Sequence, residues 1–402
     1  MSSYRLLALA VLVVGWSFSC SDGDDPTAFP GESLDASTSD ASPSDGSAPD
    51  APDASPSDAS TADASDAGCP LGAICDGTFN YAFVTSTDYD VIELGGVAGA
   101  DAKCNERAQA AGLPGEYVAW LSSSTSNARD RLGTASGWVR TDRRPFAASA
   151  DDLFVAKIRY PLAVDETGTN VASGVRYVRT GTLADGTVSK DKHCADWSLD
   201  SGGAVEMGDP FTGNHRWSTL AAGGCTGKTP IYCLGKDHTT PAPLEPVAGR
   251  RAFASSAEWV PNGLAQADAI CASEAAGVLT GTYKALLATT TASAISRFTT
   301  TGPTWVRPDG VALWETAAQA AANAPLLAPP VLHADQTPSP FAWRWLGATR
   351  IDAVGTATCT DWASSDAAVK GLAVVNNAAG KLTAEYSFNC NAPQFGLICL
   401  EE

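Results

Sequence analysis

Apolar residues recur first with strand spacing and then with helical spacing near the start of the chain. Phe79, Tyr81 and Phe83 alternate with Asn80 and Ala82, which predicts a strand with one apolar face. Within 98–112, apolar or small residues fall on one side of a helix, which predicts an amphipathic helix: Ala100, Cys104, Ala108 and Ala111. A glycine-bounded turn and an apolar run at 116–121 then predict a second strand.

This pattern is written twice. GADAKCNERAQAAGLPGEYVAWL at 99–121 returns as QADAICASEAAGVLTGTYKALL at 266–287. Four shorter matches follow in the same order: Trp138-Val139-Arg140 with Trp305-Val306-Arg307, Val175-Arg176-Tyr177 with Trp343-Arg344-Trp345, Cys194-Ala195-Asp196-Trp197 with Cys359-Thr360-Asp361-Trp362, and Tyr232-Cys233-Leu234 with Ile398-Cys399-Leu400. Two copies of one domain therefore make up most of the protein.

Cysteine spacing supports the duplication. Besides Cys20, the cysteines form one close pair, Cys69 and Cys75, and two quartets: Cys104, Cys194, Cys225, Cys233 and Cys271, Cys359, Cys390, Cys399. The intervals are 90, 31 and 8 residues in the first quartet and 88, 31 and 9 in the second. In an exported protein this predicts two disulfides per repeat, with three pairings open for each quartet. A zinc site is the alternative, but the wide gaps lack the short paired spacing of zinc knuckles.

The first twenty residues predict export. Arg5 precedes an apolar run at 6–16, which is too short to span a bilayer, and Ser17-Phe18-Ser19-Cys20 follows. This arrangement resembles a bacterial lipoprotein signal, which implies lipidation of Cys20 and attachment to the outer membrane or cell surface. Plain secretion is the alternative.

Residues 21–68 repeat Asp, Ala, Ser and Pro and predict a disordered tether that reaches on the order of 40 Å. The first 68 residues hold twelve acidic and one basic residue of a chain whose net charge is −19, so the total says little about the folded surface. A nucleic-acid partner is not expected, because phosphate contacts need clustered Lys and Arg.

The predicted organisation is therefore a signal peptide at 1–20, a tether at 21–68, a disulfide clasp at 69–77, a domain at 78–238, a Pro-rich linker at 239–250 and a second domain at 251–402. Elements predicted for the first domain are a loop at 88–96, a helix at 98–112, a short helix at 126–132, strands at 116–121, 138–141, 175–180 and 231–234, and mostly loop after Lys192. The predicted fold class is α+β, with one or two helices, a short-stranded and mostly antiparallel sheet, and long disulfide-tied loops in each domain.

GADAKC, AGLPGEYVAWLSS, CADW and the closing IYCL resemble the endostatin domain of collagens, a variant of the C-type-lectin-like fold. The similarity extends to endostatin-like surface lipoproteins of spirochaetes and other bacteria, over about 78–235 and 250–400. It implies nested disulfides: Cys104–Cys233 with Cys194–Cys225, and Cys271–Cys399 with Cys359–Cys390. It also implies that arginines bind heparin-like polyanions, for which Arg140, Arg143 and Arg144 are the candidates here. The alternative for them is a solvated loop balanced by Asp142, Asp151 and Asp152.

Candidate chemistry is sparse. The Glu-Pro-Asn and Trp-Asn-Asp signatures of calcium-dependent sugar binding do not occur before Cys225 or Cys390, so no metal or cofactor is expected. His193 near Asp196 lacks a counterpart in the second repeat. Trp343 and Trp345 offer two indoles on one strand face, for stacking a sugar or for the core.

These features predict a non-enzymatic, monomeric surface lipoprotein that binds an extracellular protein or glycan through its two domains. Two alternatives stay open. One is a glycan-acting enzyme of the cell envelope, for which Asp196 and Asp361 are the repeated carboxylates. The other is a passive structural spacer.

Overall fold

The computed structural model of the chain describes residues 69–171, 177–339, 343–376, 378–380, 382–384 and 386–402. The predicted signal peptide, the tether, Cys20, and Val175 and Arg176 lie outside these residues. Among the residues that are described, no helix is long and apolar enough to cross a membrane.

The first repeat contains short helices and short strands in alternation. Its helices are α1 (Val91–Leu94), α2 (Gly96–Ala110), α3 (Ala128–Arg131), α4 (Ala150–Phe154) and α5 (Cys194–Trp197), the last of which is a single turn of left-handed backbone. Its strands are β1 (Asn80–Val84), β2 (Tyr117–Ala119), β3 (Trp138–Arg140), β4 (Pro145–Ala147), β5 (Val178–Arg179), β6 (Ala204–Gly208), β7 (Ala221–Gly224) and β8 (Tyr232–Gly235). A 3-10 turn covers His215–Trp217.

The second repeat follows the same plan with fewer elements. Its helices are α6 (Leu264–Ala275) and α7 (Ala317–Ala321), with a 3-10 turn at Ile295–Arg297. Its strands are β9 (Arg250–Ala254), β10 (Tyr283–Ala285), β11 (Trp305–Val306), β12 (Trp343–Trp345), β13 (Lys370–Val375), β14 (Tyr386–Asn389) and β15 (Ile398–Glu401).

The two repeats have matching sheets. The larger sheet has the order β2-β8-β1-β3-β4 in the first repeat and β10-β15-β9-β11 in the second, and each repeat adds a three-stranded sheet, β5-β6-β7 or β12-β13-β14. Pairing is antiparallel except between β1 and β3 and between β9 and β11. The protein is thus an α+β molecule of small, mostly antiparallel sheets with few helices.

Both faces of the central strand β1 are buried. Phe83 packs with Cys104 on the side of α2, whereas Ala82 packs with Trp120 on the opposite side. Asn80 is 2 % exposed and is satisfied by backbone partners across the strand. The alternation predicted a strand correctly, but the prediction of a single apolar face is wrong because apolar side chains cover the sheet on both sides of β1.

Helix α2 is fastened to the sheet by the acidic residue of the repeated motif. The carboxylate of Asp101 accepts the backbone N–H of Ala119 in β2 at 2.8 Å and forms an ion pair with Arg131. The second repeat uses Asp268, Ala285 and Arg297 in the same way. The repeated aspartate is therefore a helix-to-strand connection.

The loop predicted at 88–96 contains the one-turn helix α1 at Val91–Leu94. The side chain of Asp90 accepts the backbone N–H of Glu93 at 2.7 Å, and the Glu93 carboxylate accepts the N–H of Asp90 at 3.1 Å. This reciprocal capping box begins the helix, and Gly95, in the left-handed region with φ 68°, ends it. The sequence contains the capping signal Asp-x-x-Glu. The helix that it begins is only one turn long, which is too short to show a helical pattern of apolar residues.

The stretch after Lys192 is also less irregular than predicted. Strands β6 and β7 pair over four residues each, from Ala204 with Gly224 to Met207 with Ala221. Strand β7 is Ala-Ala-Gly-Gly and mostly exposed, so it carries no apolar alternation that could have revealed it.

The hydrogen bonds also correct one alignment between the repeats. Thr180 and Leu346 occupy the same position, since each donates to the middle strand, to Glu206 and Leu372 respectively. Arg179 therefore corresponds to Trp345, and Tyr177 to Trp343. The match of Val175-Arg176-Tyr177 with Trp343-Arg344-Trp345 is shifted by two residues.

Five disulfides join the described cysteines: Cys69–Cys75, Cys104–Cys233, Cys194–Cys225, Cys271–Cys399 and Cys359–Cys390. The prediction of disulfides is confirmed. Within each quartet, the pairs are the nested ones that the resemblance implied.

Both repeats belong to one compact unit and contact each other at equivalent positions. Thr212 forms an antiparallel bridge with Ala378, and these two residues follow Glu206 and Leu372 at the same interval. A bridge between counterparts is the contact that a local twofold relation produces. Beside it, Arg307 donates to the carbonyls of Ile158 and Arg159 in the other repeat.

The linker and the clasp pack on the folded repeats. Ala242 is 5 % exposed and donates to Ala148, and Val247 donates to Gly310 of the second repeat. Ile74 of the clasp joins Phe79 in a small apolar cluster. These contacts tie the linker to both repeats and the clasp to the first repeat.

We expect the long-range disulfides to contribute most to stability. Replacing Cys104 and Cys233 by Ala opens a loop of 129 residues, and the chain-entropy relation gives a loss of about 5 kcal/mol in the free energy of unfolding. The matched control replaces Cys69 and Cys75, whose separation of 6 residues corresponds to about 2 kcal/mol. Chemical denaturation of both variants measures the difference, and equal losses would contradict the expectation.

Candidate functional site

Aromatic side chains line an open cleft where the two three-stranded sheets approach each other. Tyr386 is 56 % exposed and Tyr177 is 46 % exposed, and the third aromatic residue, Trp343, is half-buried. The Trp343 ring meets the Tyr386 ring edge-on with a centroid distance of 5.4 Å. We call this volume of about 570 Å³ the aromatic cleft; Phe211 and Arg216 also line it.

Both repeats contribute equivalent positions to the aromatic cleft. Tyr177 precedes β5, and its counterpart Trp343 begins β12. Trp343 is held in place by the ring of Phe388 at 5.1 Å, whereas Trp345, two residues further along, is fully buried. The pair of indoles therefore divides into one core residue and one residue of the cleft wall.

A second volume of about 570 Å³ adjoins the first, and we call it the arginine pocket. The two share Phe211, Ala379, Gly380 and Thr383 as lining residues. Arg140, Asp142 and Arg144 line the arginine pocket from the first repeat, and Leu326 and Leu327 line it from the second. The aromatic cleft and the arginine pocket are therefore neighbouring parts of one groove between the repeats.

Two guanidinium groups share one carboxylate in the arginine pocket. Arg140 donates to Asp142 through Nε at 2.9 Å and Nη2 at 2.5 Å, and Arg144 donates through Nη1 at 2.9 Å. Burial alone would raise the pKa of Asp142, but the charges and hydrogen bonds of the two arginines outweigh it and lower the pKa. Asp142 is thus an anion that holds two buried cations.

The three arginines predicted to bind polyanions do not share one surface. Arg140 and Arg144 are 5 % and 8 % exposed and engaged with Asp142, whereas Arg143 is exposed and lies near the rings of Phe79 and Tyr81. This geometry favours a structural role for Arg140. Arg144 lies in the wall of a pocket and not in the surface patch that the sequence predicted.

A smaller pocket of about 350 Å³ corresponds to the arginine pocket on the other side of the repeat contact. It is lined by Asp309, Val311 and Arg159, the counterparts of Asp142, Arg144 and Leu327. Arg159 pairs with Asp309 at 2.8 Å, and residues of the linker and Gly72 of the clasp supply part of the wall. The two related pockets therefore differ in charge and surroundings.

The carboxylates proposed for catalysis, Asp196 and Asp361, have structural partners instead. Asp196 accepts the backbone N–H and the hydroxyl of Ser124, both at 2.6 Å. Asp361 accepts the same two groups of Thr290, at 2.7 and 2.8 Å. These hydrogen bonds lower the pKa of both carboxyl groups.

Both aspartates lie in turns that L-amino acids rarely form. Every residue of Cys194–Trp197 and of its counterpart at 359–362 has a positive φ, between 48° and 69°. Such a conformation costs about 1–2 kcal/mol per residue. Each turn is held by its disulfide, by its aspartate and by the indole N–H, which Trp197 donates to Ser122 and Trp362 to Ala288.

A glycine makes room for each of these indoles. A side chain at Gly181 would lie 2.8 Å from the ring of Trp197, and one at Gly347 would lie 2.6 Å from the ring of Trp362. His193 accepts the backbone N–H of Asp196 at 3.0 Å, so this neighbour also belongs to the turn. The repeated Cys-x-Asp-Trp motif therefore forms a left-handed turn in each repeat.

Within the described residues, no group of three or more His, Cys, Asp or Glu side chains is arranged to hold a metal ion. The sequence reasoning missed the groove between the repeats. Its signal was weak, because Tyr177, Tyr386 and Phe211 stand in three separate loops or strand ends without a common motif.

Neither a protein family nor a curated protein matches this chain in the comparisons. Its function is therefore inferred from the groove.

We expect Asp142→Asn to lower the free energy of unfolding by about 3 kcal/mol, because two buried guanidinium groups lose their counter-charge. The matched control is Asp352→Asn, whose partner Arg350 has the same spacing but is half-exposed. The control variant loses less than about 1 kcal/mol. Urea denaturation at neutral pH measures both values.

The same variant also has an expected pH dependence. The pKa of Asp142 in the folded protein is below its ordinary value of 3.8, so its stabilisation is present above about pH 4 and is lost as the pH falls through the lowered pKa. Asp142→Asn therefore loses less stability than the natural protein below about pH 4. Parallel acid denaturation curves for the two proteins would contradict this assignment.

Proposed function

We propose that this protein is a non-enzymatic, exported binding protein that holds an extracellular glycan in the groove between its repeats. The observation that carries the proposal is the set of accessible aromatic rings in the aromatic cleft: Tyr177, Trp343 and Tyr386. An aromatic ring combines an apolar face with low conformational entropy, which suits the C–H face of a sugar ring.

Several features support binding rather than a passive role. Soluble proteins rarely expose neighbouring large aromatic side chains unless the surface contacts a partner. The polar members of the cleft, Asp209 and Arg216, supply groups that can hydrogen-bond to sugar hydroxyls. Since both repeats build the wall, the duplication serves to form one composite site.

We also propose that each repeat is an endostatin-like domain of the C-type-lectin-like fold, and that Cys20 is lipidated. The repeated helix–turn–strand motif and the nested disulfides support the first part. The signal-like stretch that ends at Cys20, followed by a long acidic segment, supports the second. A lipid-anchored chain would present the groove at the cell surface, with a monomer as the functional form.

The enzyme alternative has weaker support. Asp196 and Asp361 each accept two hydrogen bonds from a neighbouring loop, and the lowered pKa of each disfavours a role as general acid. Neither residue lines the groove.

We expect Tyr386→Ala to weaken glycan binding about fivefold or more, because the sugar loses the exposed ring against which it stacks. The full-length chain in detergent would be screened on a glycan array, and the affinity for each hit measured by titration. Val155→Ala, at a residue that is 73 % exposed and does not line the groove, is the control and retains full affinity. Unchanged binding of Tyr386→Ala and Trp343→Ala would contradict the proposed site.

Cys20→Ser is expected to abolish incorporation of labelled fatty acid and to release the protein from the membrane fraction. Labelling of bacterial cultures with an alkyne fatty acid, followed by fractionation, measures both effects. A membrane-bound and labelled Cys20→Ser variant would overturn the assignment of the anchor, whereas an unlabelled natural protein would favour secretion.

A further inference from the structure

A buried guanidinium group lines the groove next to the aromatic cleft, and its hydrogen bonding is incomplete. Arg144 is 8 % exposed and is a wall residue of the arginine pocket. Its Nη1 donates to Asp142 at 2.9 Å and its Nη2 donates to Glu315 at 2.7 Å. Its Nε finds no acceptor among the described residues, although the atom is buried.

On the edge of the Arg144 guanidinium that carries Nε and Nη2, only Nη2 has an acceptor. Nε–H and one Nη2–H of an arginine point in the same direction and together match the two oxygens of a carboxylate. Glu315 contacts this edge through Nη2 alone. A carboxylate that bonded to both nitrogens would satisfy the buried donor that the folded chain leaves open.

Glu315 is suited to being displaced. Its side chain is 43 % exposed, against 9 % for that of Arg144, and its other oxygen accepts from the half-buried Gln319 through a solvent-exposed hydrogen bond. The remaining charges of the wall favour an anion, because Arg140 and Arg144 face the single carboxylate of Asp142. Arg140 cannot serve as the anchor, since all of its nitrogens already donate to Asp142 or to Pro161.

The related pocket on the linker side differs from the arginine pocket in its lining residues. The counterpart of Arg144 there is Val311, and Arg159 pairs with the carboxylate of Asp309. No aromatic cleft residue lines that pocket. Arg159 there also has a buried Nε without an acceptor, but the aromatic residue of that pocket, Tyr160, is only 1 % exposed. Of these two pockets, the arginine pocket is the one that adjoins the accessible rings of the aromatic cleft.

We propose that the ligand of the groove is an acidic glycan whose uronate carboxylate displaces Glu315 and binds side-on to Nε and Nη2 of Arg144. This inference rests on the proposed glycan function and adds the chemical class of the sugar. Neighbouring sugar rings of the same polysaccharide contact the aromatic cleft, so the groove binds a carboxylate and an apolar sugar face at the same time. A carboxylate is more basic than a sulfate ester and accepts stronger hydrogen bonds from the two nitrogens, which separates this site from nonselective attraction of polyanions.

The test titrates the full-length chain in detergent with polymers that differ in one feature: polygalacturonate, alginate and hyaluronan as uronates, galactan as a neutral polymer, and dextran sulfate as a sulfate ester. We expect at least one uronate to bind about tenfold more tightly than galactan and dextran sulfate at 150 mM salt.

Three variants test the anchor. Arg144→Gln is expected to lose about thirtyfold or more in uronate affinity, and Arg144→Lys, which keeps the charge but not the side-on edge, is also expected to bind weakly. Glu315→Gln is expected to bind about two- to fivefold more tightly, since the competing charge is gone. Because Glu315 is half-exposed, this gain is measurable even if the Arg144 variants fold poorly.

The outcomes separate the two proposals. Equal affinity for galactan and uronates, lost in Tyr386→Ala but unchanged in Glu315→Gln, would overturn the carboxylate inference and leave the glycan function standing. Dextran sulfate binding as tightly as the uronates would also overturn it. Failure of every glycan, both here and on the array, would overturn the proposed function together with this inference.

Discussion

The attachment of one helix to one sheet is the constraint on which each repeat depends. In the first repeat, α2 is fixed at Asp101, which accepts a β2 backbone N–H, and one turn later at Cys104, which is bonded to Cys233 in β8. The two residues have the spacing that places them on one helical face, so both attachments act in the same direction. With α2 in place, the sheet gains one of its two cores, and the long loops that follow are anchored at their end by β8.

The parts of the fold that could be predicted from sequence are those in which side-chain periodicity and backbone structure coincide. Helix α2 follows from the spacing of Ala100, Cys104 and the other small residues, and strand β2 follows from the apolar run at 116–121. The presence of disulfides follows from the cysteine intervals, whereas their pairing was implied by the resemblance. Strand β7 and the left-handed turn at Cys194 could not be predicted, because cross-links and hydrogen bonds from distant residues impose them. The repetition of Cys-x-Asp-Trp suggested that the motif mattered, but it did not distinguish a strained turn from a catalytic aspartate.

The candidate site was still less predictable, because it belongs to neither repeat alone. Tyr177 and Trp343 are counterparts, yet their correspondence becomes visible only through the hydrogen bonds of Thr180 and Leu346. Arg144 was recognised in the sequence as part of a basic cluster, which describes composition and not location. Arg144 is buried against Asp142, and its Nε lacks an acceptor. Both features depend on packing between segments that are far apart in the chain.

The twofold relation between the repeats has a consequence for how this surface can change. In a dimer of identical chains, a residue that improves one pocket is copied into the other, where it must be tolerated as well. A tandem chain is free of that rule. Here Arg144 faces one pocket while its counterpart Val311 faces the other, and Leu327 stands in one where Arg159 stands in the other. The ion pair between the repeats is buried in one pocket, Arg159–Asp309, and partly exposed in the other, Arg144–Glu315. The first pocket can thus keep the repeats together while the second diversifies toward a ligand.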